Sequence, residues 1–115
     1  MYTVAIIQQC EIVTLFRRDT ISECLRAIVG QRNFLVIRDH VKQVLTVSDD
    51  EIRAAMTLVW QTLRLVIEPS SATVIAAIAK HPELFGGHKI GAIISGGNIH
   101  PADWCALTGA AADAD

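Results

Sequence analysis

The chain has 115 residues, enough for one domain, and its composition is apolar, with 51% hydrophobic and 19% charged residues. A net charge of −2 without a basic patch argues against nucleic acid or an anionic membrane as a partner, and no apolar run is long enough to span a membrane. Three widely spaced cysteines (Cys10, Cys24 and Cys105) and the absence of signal-peptide features in Met1–Cys10 predict a cytoplasmic protein with reduced thiols.

The N-terminal third predicts one strand and one helix. The apolar run Thr3–Ile7 is typical of a strand. Asp19 or Thr20 can cap a helix that runs to about Val29, where Gly30 ends it.

The middle of the chain predicts a short helix, a short strand and a long amphipathic helix. The helix covers Phe34–Val41 and the strand covers Val44–Val47. Ser48 and Glu51 form a capping box, in which Ser48 accepts from the N–H of Glu51 while Glu51 reaches back. The long helix begins there, and apolar residues spaced three and four apart form its stripe: Ile52, Ala55, Met56, Val59 and Leu63.

The last third predicts a buried helix and a buried strand. Ser70–Lys80 is apolar almost all round, with Ala76 and Ala77 permitting close packing, so it belongs in a core. Ile90–Ile94 is short, β-branched and uncharged, as in strands covered on both faces. The order of helices and strands predicts an α/β layer on a parallel sheet, with too few strands to protect both sheet edges.

The segment Ser95–Asn98 carries the strongest functional signal. Gly96 and Gly97 lack a Cβ and let the backbone turn sharply beside another group. Ligands of open α/β sheets bind at the carboxyl ends of strands, where Ser95 and Asn98 are placed. An ordinary strand-to-loop exit with a capping Asn explains the same pattern, and the spacing leaves both interpretations open.

Four segments resemble, in order and spacing, the pyridoxal-phosphate (PLP) enzymes of the threonine/serine dehydratase and serine racemase family. The likeness covers roughly Glu11 to Asp103. The matching segments are Asp19–Ile21, Val36–Asp39 followed by Val44–Ile52, Leu65–Ala72, and Ser95–Asn98. Several segments in register are more specific than one motif.

The resemblance implies an α/β fold: a partial three-layer sandwich of a few parallel strands packed with helices. Residues 11–109 resemble the C-terminal part of the large domain of a fold type II PLP enzyme (tryptophan synthase β-like). Residues 1–10 would be a leader or a first strand, and residues 110–115 a disordered tail. The implied reaction is dehydration and deamination of a small hydroxy amino acid to a 2-keto acid and ammonia.

The resemblance also implies a cofactor site. Ser95 matches the serine that hydrogen-bonds the pyridine nitrogen of PLP, while Gly96, Gly97 and Asn98 would shape the turn that presents it. Glu68 matches a glutamate close to the cofactor, although its place before Pro69 is explained equally by helix capping.

Cys24 stands where the family has a glycine beside the cofactor ring, so its side chain would crowd that space. His100 stands where an Asp is usual, and Arg38 with Asp39 is interpreted as a local ion pair. The four histidines lack metal-ligand spacing, so no metal site is predicted.

No catalytic residue is predicted. The Ser-Phe-Lys segment with the Schiff-base lysine does not occur in this sequence, and neither does the glycine-rich loop that binds the cofactor phosphate. Two hypotheses follow: a C-terminal fragment of a PLP-dependent ammonia-lyase, inactive without its N-terminal half, or a non-enzymatic α/β module for self-association or partner binding. Either predicts a homo-oligomer or a complex with the missing half.

Overall fold

The computed structural model of the chain describes residues 19–110; the predicted leader or first strand and nearly all of the predicted tail lie outside them. The described residues form one 3-10 helix and five α-helices joined by turns and extended segments. In chain order these are the 3-10 helix Glu23–Arg26, α1 (Gln31–His40), α2 (Asp49–Leu63), α3 (Pro69–Lys80), α4 (Pro82–Phe85) and α5 (Pro101–Thr108).

The long amphipathic helix α2 is confirmed together with its capping box. Ser48 Oγ accepts from the N–H of Glu51, and the Glu51 carboxylate accepts from the N–H of Ser48. Four members of the predicted stripe are buried, whereas Leu63, in the last turn, is 57% exposed. The helix ends at Arg64, whose left-handed backbone (φ 59°) lets its N–H donate to the carbonyl of Trp60.

The core lies between α2 and α3, which pack against each other, and α5 also contacts α2 and contributes Trp104 to the core. Ala76 in α3 is buried as the small-residue pair predicts, although much of the helix is only half-buried. The buried cluster comprises Ile52, Ala55, Met56, Val59, Ile67, Ala72, Ala76 and Trp104.

The helix predicted from residue 19 or 20 to Val29 is wrong. The chain makes a single 3-10 turn there, and Gly30 is the residue that begins α1 instead of ending a helix. The physical reason is that Asp49, far along the chain, holds Thr20 and Ile21 in a turn, and local helix propensity does not include such a contact. The next predicted helix, Phe34–Val41, is confirmed and begins three residues earlier, at Gln31.

Neither predicted strand of the described range, Val44–Val47 or Ile90–Ile94, is a strand in the structure. A strand exists only through backbone pairing, and neither segment pairs in a ladder with another described segment. Burial of Ile90–Ile94 on both faces is also wrong, since Ile93 is 82% exposed. Both remain extended runs of apolar residues.

The helix α5 was not predicted from the sequence. His100 is its N-cap, with Nδ1 accepting from the N–H of Ala102 at 3.2 Å, and Gly109 ends it in a left-handed conformation. The Trp104 side chain of this helix is buried in the core, where its ring packs edge to face against Trp60 with the ring centroids 5.9 Å apart.

The molecule is a flat slab with extents of 54 × 36 × 19 Å. Its thin dimension is about the diameter of two packed helices. None of the helices in residues 19–110 combines the length and the hydropathy that crossing a bilayer requires.

Candidate functional site

Three segments that are distant in sequence meet at one point, which we call the Cys24–Glu68–Gly96 cluster. The Cys24 thiol donates to Glu68 Oε1 over 3.8 Å, and the N–H of Glu68 donates to the carbonyl of Gly96 at 3.3 Å. Cys24 is exposed, whereas Glu68 and Gly96 are half-buried. The cluster therefore lies at the surface, with its carboxylate partly withdrawn from water.

The glycine pair is required by close approaches on both sides. A Cβ on Gly96 would lie 2.5 Å from Glu68 Oε1, and one on Gly97 would lie 2.9 Å from the carbonyl oxygen of Val66. Only a residue without a side chain fits at either position unless its neighbour moves. The segments 66–68 and 96–97 consequently run in contact.

The Glu68 side chain does not cap the helix that it precedes. Glu68 is the N-cap residue of α3 by position, and its carbonyl accepts from the N–H groups of Ser71 and Ala72, but its carboxylate makes no capping hydrogen bond. The carboxylate turns instead toward Gly96 and Cys24. Of the two interpretations of Glu68, side-chain capping is wrong; a contact with a cofactor stays a prediction.

The segment leading to Cys24 is anchored on the first residue of α2. Asp49 Oδ1 accepts from Thr20 Oγ1 at 2.8 Å, and Asp49 Oδ2 accepts from the N–H of Ile21 at 3.3 Å. Arg26 donates from Nε to the carbonyl of Thr20 at 3.1 Å. These bonds fix the turn before the 3-10 helix that carries Cys24.

Ser95 and Asn98 project from the turn into solvent. Both are exposed, and neither side chain hydrogen-bonds a described residue. Asn98 was expected to bond the backbone of the turn, but the N–H of Ile99 closes it by donating to the carbonyl of Gly97 at 2.9 Å. The Ser95 hydroxyl is therefore available to a ligand.

An open cleft of about 1000 Å³ has Cys24 among its lining residues. Its walls come from the turn at 19–29, the extended segment 43–49, one face of α3 and the start of the segment at Ile90. Glu68 and Ser95 are not among the lining residues, so the cleft adjoins the cluster through Cys24 alone.

The carboxylates with perturbed acidity lie outside the cluster. A hydrogen bond from Arg38, at 2.7 Å, holds the pKa of Asp39 below its ordinary value, which confirms the predicted ion pair. The backbone N–H of Ser48 and the ammonium of Lys80 lower the pKa of Glu51. Across residues 19–110, no three His, Cys, Asp or Glu side chains gather as a metal site would require.

Sequence reasoning missed two residues that build this region, Asp49 and His100. Asp49 lies between the two capping-box residues Ser48 and Glu51, and nothing local indicates that its carboxylate accepts a hydrogen bond from a residue 29 positions earlier. His100 could have been recognised, because Pro101 at the first helical position, Asp103 in the first turn and Gly109 after the last form a helix signature.

The chain matches known proteins over most of its length. Residues 3–96 match the family described as pyridoxal-phosphate dependent enzyme. The chain is 41% identical over 80 residues to a β-hydroxyaspartate dehydratase of Paracoccus denitrificans, covering 70% of this chain and 25% of that protein.

Solved structures give the same result. The serine racemase of Dictyostelium discoideum superposes with a TM-score of 0.75 at 38% identity, covering 86% of this chain and 32% of that one. The maize serine racemase superposes with a TM-score of 0.79 at 30% identity, covering 95% and 36%. The chain thus spans about a quarter of the length of the curated relatives it matches.

Proposed function

The chain belongs to the family of pyridoxal-phosphate dependent enzymes, and from this premise we propose that it forms one wall of the active site of a hydroxy-amino-acid ammonia-lyase. The observation that carries the proposal is the Cys24–Glu68–Gly96 cluster. Glu68 and Gly96 come from two of the segments that resemble the family, Cys24 stands three residues after a third, and the three residues lie in hydrogen-bonding contact.

The residues present fit one end of the cofactor. Ser95 offers a neutral hydroxyl that hydrogen-bonds no described residue, which suits an aromatic nitrogen. No residue of this sequence matches the lysine or the phosphate loop. We propose that Ser95, Gly96, Gly97 and Asn98 hold the ring end only.

The chain's own residues would orient the cofactor ring and restrict the space beside it. Bound PLP withdraws electrons from the amino acid's α-carbon, which favours loss of the α-proton and of a β-hydroxyl. Ser95 would orient the ring by one hydrogen bond and, being neutral, would leave the ring nitrogen largely unprotonated. Glu68 would hold the glycine turn in place from behind, and Cys24 would narrow the space beside it.

The proposed substrate is a small α-amino acid with a β-hydroxyl group, such as serine or threonine. Serine and β-hydroxyaspartate, named in the relatives' descriptions, share that group on the carbon next to the amino-bearing carbon. Dehydration followed by hydrolysis converts such a compound to a 2-keto acid and ammonia, with no oxidant needed.

We propose that the working partner is a polypeptide carrying the part of the fold that holds the lysine and the phosphate. The finer fold, a parallel sheet completed by that partner, is proposed with it. Apolar side chains of the extended segments, Ile93 above all, are exposed and can be covered by neighbouring strands.

Complementation tests the function. The chain is mixed with the remaining N-terminal part of the Dictyostelium discoideum serine racemase as a separate polypeptide, and cofactor absorbance and keto-acid production are measured. We expect both to appear in the mixture and neither in the chain alone. Cofactor absorbance that survives dialysis of the chain alone, together with turnover, would contradict the proposal.

Variants of the restored complex test the residues. Ser95→Ala should lower activity without separating the polypeptides, because it deletes one polar contact and no apolar area. Cys24→Gly should raise activity by opening the space beside the ring. Thr62→Val, at an exposed hydroxyl bonded to its own helix, is the control. Unchanged activity in Ser95→Ala would remove Ser95 from the site.

A second candidate, a non-enzymatic association module, is favoured by the exposed apolar residues alone. Both candidates require a covered apolar surface, so association does not separate them. Cofactor binding in the complemented mixture does, since the module has no use for the Ser95 hydroxyl.

A further inference from the structure

The Asp49 carboxylate accepts hydrogen bonds from a segment outside its own helix. Ser48 and Glu51 already satisfy each other at the start of α2, so Asp49 is not needed as a cap. Both of its oxygens accept hydrogen bonds from the turn at residues 20–21, one from Thr20 Oγ1 and one from the N–H of Ile21. A charged acceptor with two donors is a strong tether.

The tether leads to Cys24 through Thr20. The Thr20 hydroxyl donates to Asp49 and accepts from the N–H of Ser22 at 3.3 Å, and Ser22 is buried. The Thr20 carbonyl accepts from Arg26, at the far end of the 3-10 helix. Both ends of that helix are therefore tied to one residue, and Cys24 lies between them.

We propose that Asp49 is a positioning residue of the site, which holds the 3-10 helix so that the Cys24 thiol stays against the Glu68 carboxylate. The inference rests on the proposed function only in taking Cys24 and Glu68 as the wall beside the cofactor ring. The tether itself is read from hydrogen bonds among residues of this chain. Asp49 acts through its hydrogen bonds to Thr20 and Ile21.

Charged thiol reagents test the inference. A cationic and an anionic methanethiosulfonate each form a mixed disulfide with Cys24, releasing methanesulfinate, in a Cys10→Ser background read by mass spectrometry. The Glu68 carboxylate attracts the cationic reagent and repels the anionic one. The ratio of the cationic to the anionic reaction rate at Cys24, measured at low ionic strength, should therefore exceed the same ratio at Cys105 roughly fivefold to tenfold. Glu68→Gln should abolish the excess.

The tether variants should lower the same ratio. Thr20→Val removes the bridging hydroxyl without changing any charge, and Asp49→Asn replaces one acceptor oxygen with a donor. Both should bring the ratio at Cys24 to within about twofold of the Glu68→Gln value, because the thiol leaves the carboxylate. The ratio at Cys105, in α5, should stay constant.

Matched controls remove the alternatives. Thr62→Val deletes a hydroxyl that bonds its own helix, and Asp50→Asn removes the adjacent charge, which pairs with Arg53 at 2.8 Å. Both should keep the Cys24 excess, with helix content checked by circular dichroism.

Three results would overturn the inference: no excess at Cys24 in the unsubstituted protein, an excess retained in Thr20→Val, or an equal change at Cys105 that indicates general loosening. If Asp49→Asn fails to fold, Thr20→Val decides. Failed complementation would overturn the proposed function and leave these thiol rates unaffected, so the two failures are distinguishable.

Discussion

At the scale of single residues, the two adjacent glycines have different neighbours and therefore different tolerance. The group next to Gly96 is the end of a flexible side chain, Glu68, whereas the group next to Gly97 is a backbone carbonyl. A side chain can rotate away at small cost, while backbone must shift as a unit.

We expect Gly97→Ala to destabilise the protein by about 1–3 kcal/mol and Gly96→Ala by less. Gly91→Ala is the control, because no atom lies within 4 Å of its Cβ position, and it should be neutral or slightly stabilising. Denaturant unfolding measures all three. Equal losses at the two turn glycines would contradict the geometry.

His100 performs a role that an Asp performs as well. Its Nδ1 accepts from the N–H of Ala102 at the start of α5. We expect His100→Ala to cost about 1 kcal/mol of unfolding free energy and His100→Asp to cost nothing or to stabilise. A loss shared by both variants would mean that the ring matters for something other than the cap.

At this scale, the sequence predicts contacts that are local and misses those that are not. Ser48 and Glu51 are three residues apart, so helix geometry alone places them together. Thr20 and Asp49 are 29 apart, and only the packed fold brings them into contact. Of the candidate site, the residues themselves came from resemblance, while the contact of Cys24 with Glu68 required the structure.

At the scale of helices, Lys80 joins the end of α3 to the start of α2. Its ammonium donates to Glu51 Oε2 and to the carbonyl of Thr46, each at 3.0 Å. The capping box and this bond together stabilise the ionised form of Glu51, so its pKa lies below the ordinary 4.5.

This pKa shift predicts acid sensitivity. A carboxylate with a lowered pKa in the folded state contributes stability that is present above pH 4.5 and is lost as the pH falls through the lower, folded value. In Glu51→Gln, the midpoint of thermal unfolding should fall less steeply between about pH 6 and about pH 3. Glu23→Gln, at an exposed carboxylate, is the control.

Some acid sensitivity should remain in Glu51→Gln. Hydrogen bonds also lower the pKa of Asp39, mainly through Arg38, and of Glu83, mainly through its own backbone N–H at the start of α4. An unchanged slope in Glu51→Gln would contradict the role given to the bond between Lys80 and Glu51, which joins α3 to α2.

Helices and strands were predictable to different degrees for a physical reason. The apolar stripe of α2 packs against α3, a neighbour that belongs to the same chain, and the predicted amphipathic helix is therefore confirmed. The β-branched run Ile90–Ile94 reports a preference for covered, paired surroundings. No described segment pairs with the run, and its residues are exposed except Ile94, which is half-buried against the core.

At the scale of the whole molecule, the slab leaves apolar side chains uncovered. Ile93 is the most exposed large hydrophobic residue in the described range. We expect sedimentation at micromolar concentration to show dimers or larger species, and Ile93→Ser to shift them toward monomer. Leu84→Ser, on α4, is the matched control and should have little effect. A compact monomer that unfolds cooperatively would contradict this expectation.

The consecutive packing of α2 and α3 has a consequence for the order of folding. Their interface needs only the short connection 64–68 to close, whereas contact of Glu68 with Gly96 must close the much longer segment between them. Shorter loops lose less entropy on closure, so the helical pair should form early, and during synthesis it can form before Ser95 has left the ribosome. We expect the turn that presents Ser95 to be assembled after the helical pair.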